Sequence, residues 1–182
     1  MSCSAGFLLL AAILIYLDGI GFFVQVLAAC ILHEAGHYGA AIAVGSRVCE
    51  LHLTAVGAEM KLDSDIQLSY SQDALLAFAG PAVNLFTAWI AARVGFNLFA
   101  GLNLSFGLLN LLPIRPLDGG RILAGVLSLF VPDLAEKILS GLSVLVSGIL
   151  LGLGWSAWRG WGNITLFCAA IWFAFSMLRN QK

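Results

Sequence analysis

Two histidines and a glutamate stand in the stretch ILHEAGHYGAAIAVG, residues 31–45, among Ile, Leu, Ala and Val. His33 and His37 are four residues apart, so on a helix their imidazoles share one face. Two imidazoles so placed can ligate one tetrahedral zinc, and Glu34, rotated off that axis, can reach a metal-bound water. Zinc brings the pKa of such a water toward about 7, where a carboxylate can take its proton. The competing reading is a chance HExxH. Chance must then also explain two imidazoles and a carboxylate in an apolar helix, where polar groups cost free energy unless something binds them. Gly36, Gly39 and Ala40 leave room on the same helix for a neighbour to approach closely.

A catalytic zinc takes a third protein ligand and keeps one position open. Apart from Asp18, the other carboxylate deep in an apolar stretch is Asp118, in LLNLLPIRPLDGGRIL. Pro113 and Pro116 cannot complete helical hydrogen bonds, and Gly119 and Gly120 tolerate unusual backbone angles. Broken backbone at membrane depth is tolerated where it is buried in protein or lines a watery cavity. Asp118 is thus either a ligand beside a deliberate break or an ordinary capping residue at a helix start. His52 lies in a loop and reads as a polar strand side chain rather than a fourth ligand. Cys3, Cys30, Cys49 and Cys168 are scattered and form no CxxC, so they make neither a disulfide framework nor a zinc ribbon. Cys30, one turn before His33, reads as a small packing residue.

The elements that must position these groups are membrane helices. The 182 residues are 60% hydrophobic and 10% charged, far below the ~25% charged residues of ordinary soluble domains. The net charge of −1 and the scattered basic residues give no footing for nucleic acid. A spanning helix needs about 20 mostly apolar residues, which gives six candidates: 4–20, 21–44, 74–94, a long segment from Phe96 to Val131 broken by two prolines, 134–157 and 163–178. The fold class is therefore all-α integral membrane, one embedded domain over 1–182. The polar connection after the second helix alternates in RVCELHLTAVGAEMKL and reads as a small β-hairpin with its turn near Gly57. Six spans put both termini on one side. Arg47, Lys61, Lys137, Arg179 and Lys182 fall on that side and Arg93 and Arg159 on the other, which favours cytoplasmic termini and a site toward the cytoplasm.

HEAGH, then FAGPAVN, then NLLPIRPLDGGR, in that order on three successive membrane segments, resembles the site-2 protease family of intramembrane zinc metalloproteases. The resemblance covers residues 21–125. The short helix before it and the two spans after it look like the six-helix branch of the stage IV sporulation protein FB. The resemblance implies one zinc per chain on His33, His37 and Asp118, with Glu34 as general base. It implies that Asn84 and Asn110 hold the substrate or polarise its carbonyl. By residue type alone, both could instead be interhelical hydrogen-bond glue. Gly80 and Pro81 shape the backbone, as do Pro113, Gly119 and Gly120. The implied substrate is a membrane-associated protein, such as a sporulation or signalling pro-protein.

Three departures stand out. Arg115 occupies a position where relatives often carry a small, apolar or proline residue; pairing with an acid of the 46–73 loop, binding a substrate carbonyl and snorkelling are all open to it. The sporulation branch usually continues into a CBS-type regulatory domain; the sequence stops at Lys182 before any such domain, which is either absent or trimmed away. No PDZ-like insertion separates the third and fourth helices. Asp18 has no assigned role.

A helical substrate hides its peptide bonds, so it must unwind before cleavage. The 47–62 hairpin offers edge groups to which it could add as a strand. Two other functions share some of these features. A zinc hydrolase acting on a non-peptide membrane substrate would use the same chemistry. A non-catalytic zinc scaffold or transporter would not need Glu34, and transporters show duplicated halves that are absent here.

Overall fold

The computed structural model describes residues 2–3, 12, 15–16, 18–46, 48–54, 57–62, 68–115 and 117–161. Most of the expected first span, 4–20, and all of the expected last, 163–178, lie outside the described residues. The chain divides into two compact units, Met1–Leu109 and Asn110–Lys182.

In the first unit, β1 (Ser2–Cys3) precedes α1 (Ile20–Ala43), β2 (Val48–Thr54), β3 (Gly57–Leu62), α2 (Tyr70–Arg93) and α3 (Asn97–Asn110), whose last residue opens the second unit. α1 and α2 are each 24 residues long and apolar enough to cross a membrane. Both end in the same way. At α1, Gly45 (φ 77°) lets its own N–H reach Ile42 O and that of Ser46 reach Ala41 O. At α2, Gly95 (φ 84°) bonds to Ala92 O and Phe96 to Ala91 O. These are Schellman ends, which need a left-handed residue that glycine supplies without steric cost. α2 starts on a capping box, with Ser69 Oγ accepting from Gln72 N and Ser69 N donating to Gln72 Oε1. Asp73 in its first turn and Arg93 in its last complement the helix dipole.

Between α1 and α2, β2 and β3 pair antiparallel from Val48↔Leu62 to Thr54↔Gly57. β1 adds in parallel to the other edge of β2, Ser2↔His52 and Cys3↔Leu53, giving the order β1-β2-β3. Two residues are too few to show strand periodicity, so the sequence carried no signal for β1.

The packing inverts that of a soluble protein. Apart from Leu76, buried positions of this unit are small or polar, among them Ala29, Ala41, Ala77, Ala88, Ala91, His33, His37, Asn84 and Asn103. Large side chains such as Phe86, Trp89, Ile90 and Leu104 are exposed. In a bilayer, lipid covers the large side chains while small ones let helix backbones meet. Gly36 is such a contact, since a methyl group there would lie 2.6 Å from Ala79 O on α2.

The second unit holds the loop residues 111–115 and 117, α4 (Asp118–Phe130) and α5 (Pro132–Trp161). The expected long segment from Phe96 to Val131 is divided into α3, of 14 residues, and α4, of 13. Each is shorter than the ~20 residues needed to span the bilayer unaided. α5 is the third helix long and apolar enough to cross, over Pro132–Gly160. Three such helices are found among the described residues, and they make this a membrane protein.

Gly36→Ala should force α1 and α2 apart and cost about 1–3 kcal/mol, the usual range for overpacking. Gly39, with no neighbour within 4 Å of an added methyl, provides the control. Thermal unfolding in detergent should show a lower Tm for Gly36→Ala and an unchanged or higher Tm for Gly39→Ala. Equal behaviour of the two would contradict the packing described.

Candidate metal centre

His33 and His37 project from α1 into the first unit and are both buried. Their Nε2 atoms face each other at 3.1 Å. Each Nδ1 has an oxygen partner: Asn84 Oδ1 at 2.6 Å for His33 and Leu76 O at 2.8 Å for His37. An oxygen that only accepts requires Nδ1 to carry the proton. In the neutral rings both Nε2 atoms are then lone-pair donors, so 3.1 Å is not a hydrogen bond between them but two converging lone pairs. A shared cation resolves that repulsion. Two Zn–N bonds of about 2.0–2.1 Å at a tetrahedral angle would separate the nitrogens by about 3.4 Å, close to what is found.

The orientation of Asn84 is itself fixed. Its Nδ2 donates to Ala29 O at 3.0 Å and to Asn103 Oδ1 at 2.9 Å. Both are acceptors, so Oδ1 must be the atom turned to His33. Asn103 Nδ2 in turn donates to Phe99 O at 2.9 Å. A hydrogen-bonded line therefore runs from α3 through α2 to the His33 ring, and both asparagines are wholly buried. The Phe106 ring meets His33 in a T-shaped contact, centroids 5.1 Å apart, and holds the imidazole from another side.

Gly80 and Pro81 lie on α2 beside the pair. A methyl group at Gly80 would overlap the His37 ring and sit 2.9 Å from Cε1 of His33. Pro81 has no N–H for the carbonyl of Ala77 and its ring crowds that carbonyl, which opens the helix ladder in the turn where Leu76 O accepts from His37. Glu34 is half-buried on α1, as is the free thiol of Cys30.

In the second unit Asp118 is buried and is the first residue of α4. The N-cap is Leu117, whose side chain cannot cap, so ordinary N-capping does not account for the aspartate. The loop before it is wound tightly. Ile114 N donates to Leu112 O and Leu117 N to Ile114 O, at 2.7 and 2.8 Å. A methyl group at Gly119 would overlap Leu111 O, and one at Gly120 would overlap Ile114 O. The two glycines allow the first turn of α4 to lie against its own loop. Pro113 and Asn110 are half-buried in this stretch, Asn110 closing α3. Arg115 pairs with Glu136 of α5, an acid on the helix beyond α4 and not in the long loop.

Asn103 is the residue that motif reading misses. Its signal is present nonetheless: an asparagine in the apolar helix NLFAGLNLSFGLLN is costly unless it has a partner.

These features define a class, a helical membrane protein with a paired-imidazole metal centre on a spanning helix. Residues 95–151 match the model for Peptidase family M50. The chain is similar to stage IV sporulation protein FB of Bacillus subtilis, 32% identical over 102 residues, covering 51% of this chain and 35% of that protein. Similarity to Rip3 of Mycobacterium tuberculosis is 29% over 180 residues, covering 82% of this chain and 46% of that protein. The chain thus spans between a third and a half of the length of these curated relatives. Its fold is that of the site-2 protease from Methanocaldococcus jannaschii, with a TM-score of 0.74 at 22% identity, covering 99% of this chain and 89% of that one. The family match falls on the third of the three motifs, and the relatives and the fold agree with the resemblance.

Asn84→Ala should weaken divalent-metal affinity by about 10–100-fold, the usual loss when a ligand histidine loses its orienting partner. Titration of metal-free protein against a calibrated chelator measures it. Wild-type affinity in this variant would show that the hydrogen bond to His33 does not set the ligand.

Proposed function

We propose that this protein is an intramembrane zinc metalloprotease that cleaves peptide bonds in or near membrane-associated segments of other proteins. The observation that carries the reading is the pair of buried imidazoles whose protonated Nδ1 atoms leave both Nε2 lone pairs facing one another. His33, His37 and Asp118, which offer one ligand atom each, would hold a single zinc. A bound zinc would act as a Lewis acid on the scissile carbonyl and lower the pKa of water.

The chain's own residues do the rest. Glu34, one residue beyond His33, takes a proton from the attacking water and passes it to the leaving amine. Asn84 keeps His33 in the ligating tautomer. Asn110, at the end of α3, is the residue proposed to meet the substrate carbonyl. Asn84 is wholly buried, which favours a supporting role through His33 over direct contact with substrate.

A substrate strand is proposed to add to the sheet between α1 and α2. Support comes from the order β1-β2-β3, which leaves β3 at an edge. We propose six spans in a single embedded domain, with cytoplasmic termini and a site toward the cytoplasm. The distribution of Lys and Arg supports that orientation.

Glu34→Gln should keep about one zinc per chain and lower cleavage of single-span peptides by at least ~100-fold, the low end for loss of a general base. Asp118→Ala should lose zinc itself. Purified proteins, assayed for bound metal and for peptide cleavage side by side, separate the two. Cleavage by Glu34→Gln at the wild-type rate would overturn the assignment. Zinc binding without cleavage of any peptide by the wild type would point to a non-peptide substrate or a non-catalytic role.

A further inference from the structure

Asp118 follows directly on a loop that α5 holds at two points. Ser143, wholly buried on α5, donates its Oγ–H to Pro113 O at 3.2 Å. Two turns earlier on the same helix, Glu136 pairs with the Arg115 guanidinium. Positions 136 and 143 are seven residues apart and so lie on one face of α5, about 10 Å apart along its axis. Between the two held residues, Ile114 is wholly buried, and the bonds of Ile114 and Leu117 wind the loop into α4.

We infer that Arg115 and Glu136 are positioning residues for Asp118, an ion-pair latch through which α5 sets the place of that carboxylate. This rests on the proposed metal-ligand role of Asp118. Exposed ion pairs hold little, because two mobile side chains must be ordered in water. Here the two ends differ. The Glu136 side chain is 73% exposed, but that of Arg115 is only 25% exposed. Arg115 Nε is buried and has no hydrogen-bond partner among the described residues. The terminal nitrogen on Glu136 is therefore the anchor that fixes the guanidinium, and through it the backbone three residues before Asp118. The side chain of Ser143 reaches only one carbonyl of the loop, so it fixes the loop's position but leaves rotation about that contact. The ion pair removes that freedom.

The test is a set of charge variants in the full chain: the neutralising singles Glu136→Gln and Arg115→Gln, and the charge-swapped double variant Arg115→Glu with Glu136→Arg. Two quantities are read: amide hydrogen exchange of residues 111–117 in metal-free protein, and Co2+ affinity. Glu136→Gln alters an exposed side chain, so the fold should survive it. Each single variant should exchange loop amides about tenfold faster and bind Co2+ at least about tenfold more weakly, the loss expected when a ligand's support is removed. The double variant should recover most of both. Unchanged exchange in both single variants, or no recovery in the double, overturns the latch. Faster exchange with wild-type Co2+ affinity overturns the positioning role. A wild type that binds no Co2+ defeats the metal-centre reading, and the positioning role with it, while the exchange data still report whether the pair holds the loop.

Discussion

Two imidazoles that turn their Nε2 lone pairs toward each other in an apolar helix bundle cannot be left to choose their own orientation. In water a histidine rotates and exchanges tautomers at little cost. Inside a bilayer each unmet polar atom is expensive, so orientation has to be supplied by a partner for every donor. That constraint explains the surroundings of α1. Leu76 offers a carbonyl beside a proline-opened turn, and Asn84 offers an amide oxygen whose direction is set by two further acceptors. The same bonds that satisfy the polar groups select the ligating tautomer. Structural and chemical requirements here are met by one set of hydrogen bonds.

The small residues follow from that set. A hydrogen bond of 2.6–2.8 Å between α1 and α2 requires the two backbones to come close, and Gly36 and Gly80 are where they do. Hydrophobic burial cannot draw helices together in lipid, so close packing and polar contacts must. In the second unit Gly119 and Gly120 have the same function against their own loop. What looks like sequence punctuation in HEAGH, AGP and LDGG is space reserved for rings and carbonyls.

The paired histidines were legible because their spacing is geometric. His33 and His37 share a face on any helix, and the apolar context made them conspicuous. The bounds of α1 and α2 also lie close to those read from the hydropathy run, since Gly45 and Gly95 mark their ends. The break at Asp118 could be read from Pro113, Pro116 and the two glycines. Its result could not, because two short helices and one long kinked helix have the same composition. Asn103 escaped notice because its partner is nineteen residues away on another helix, and no local period records such a pairing. Arg115 could be seen as unusual, but its partner Glu136 lies twenty-one positions on, across α4.

The central claim is that His33 and His37 together hold a metal through Nε2. X-ray absorption at the zinc edge of purified wild-type protein tests it most directly. The account predicts about one zinc per chain with nitrogen and oxygen neighbours at about 2.0–2.1 Å and the outer-shell scattering of two imidazoles. Sulfur at about 2.3 Å, or stoichiometric zinc with no imidazole scattering, would contradict it.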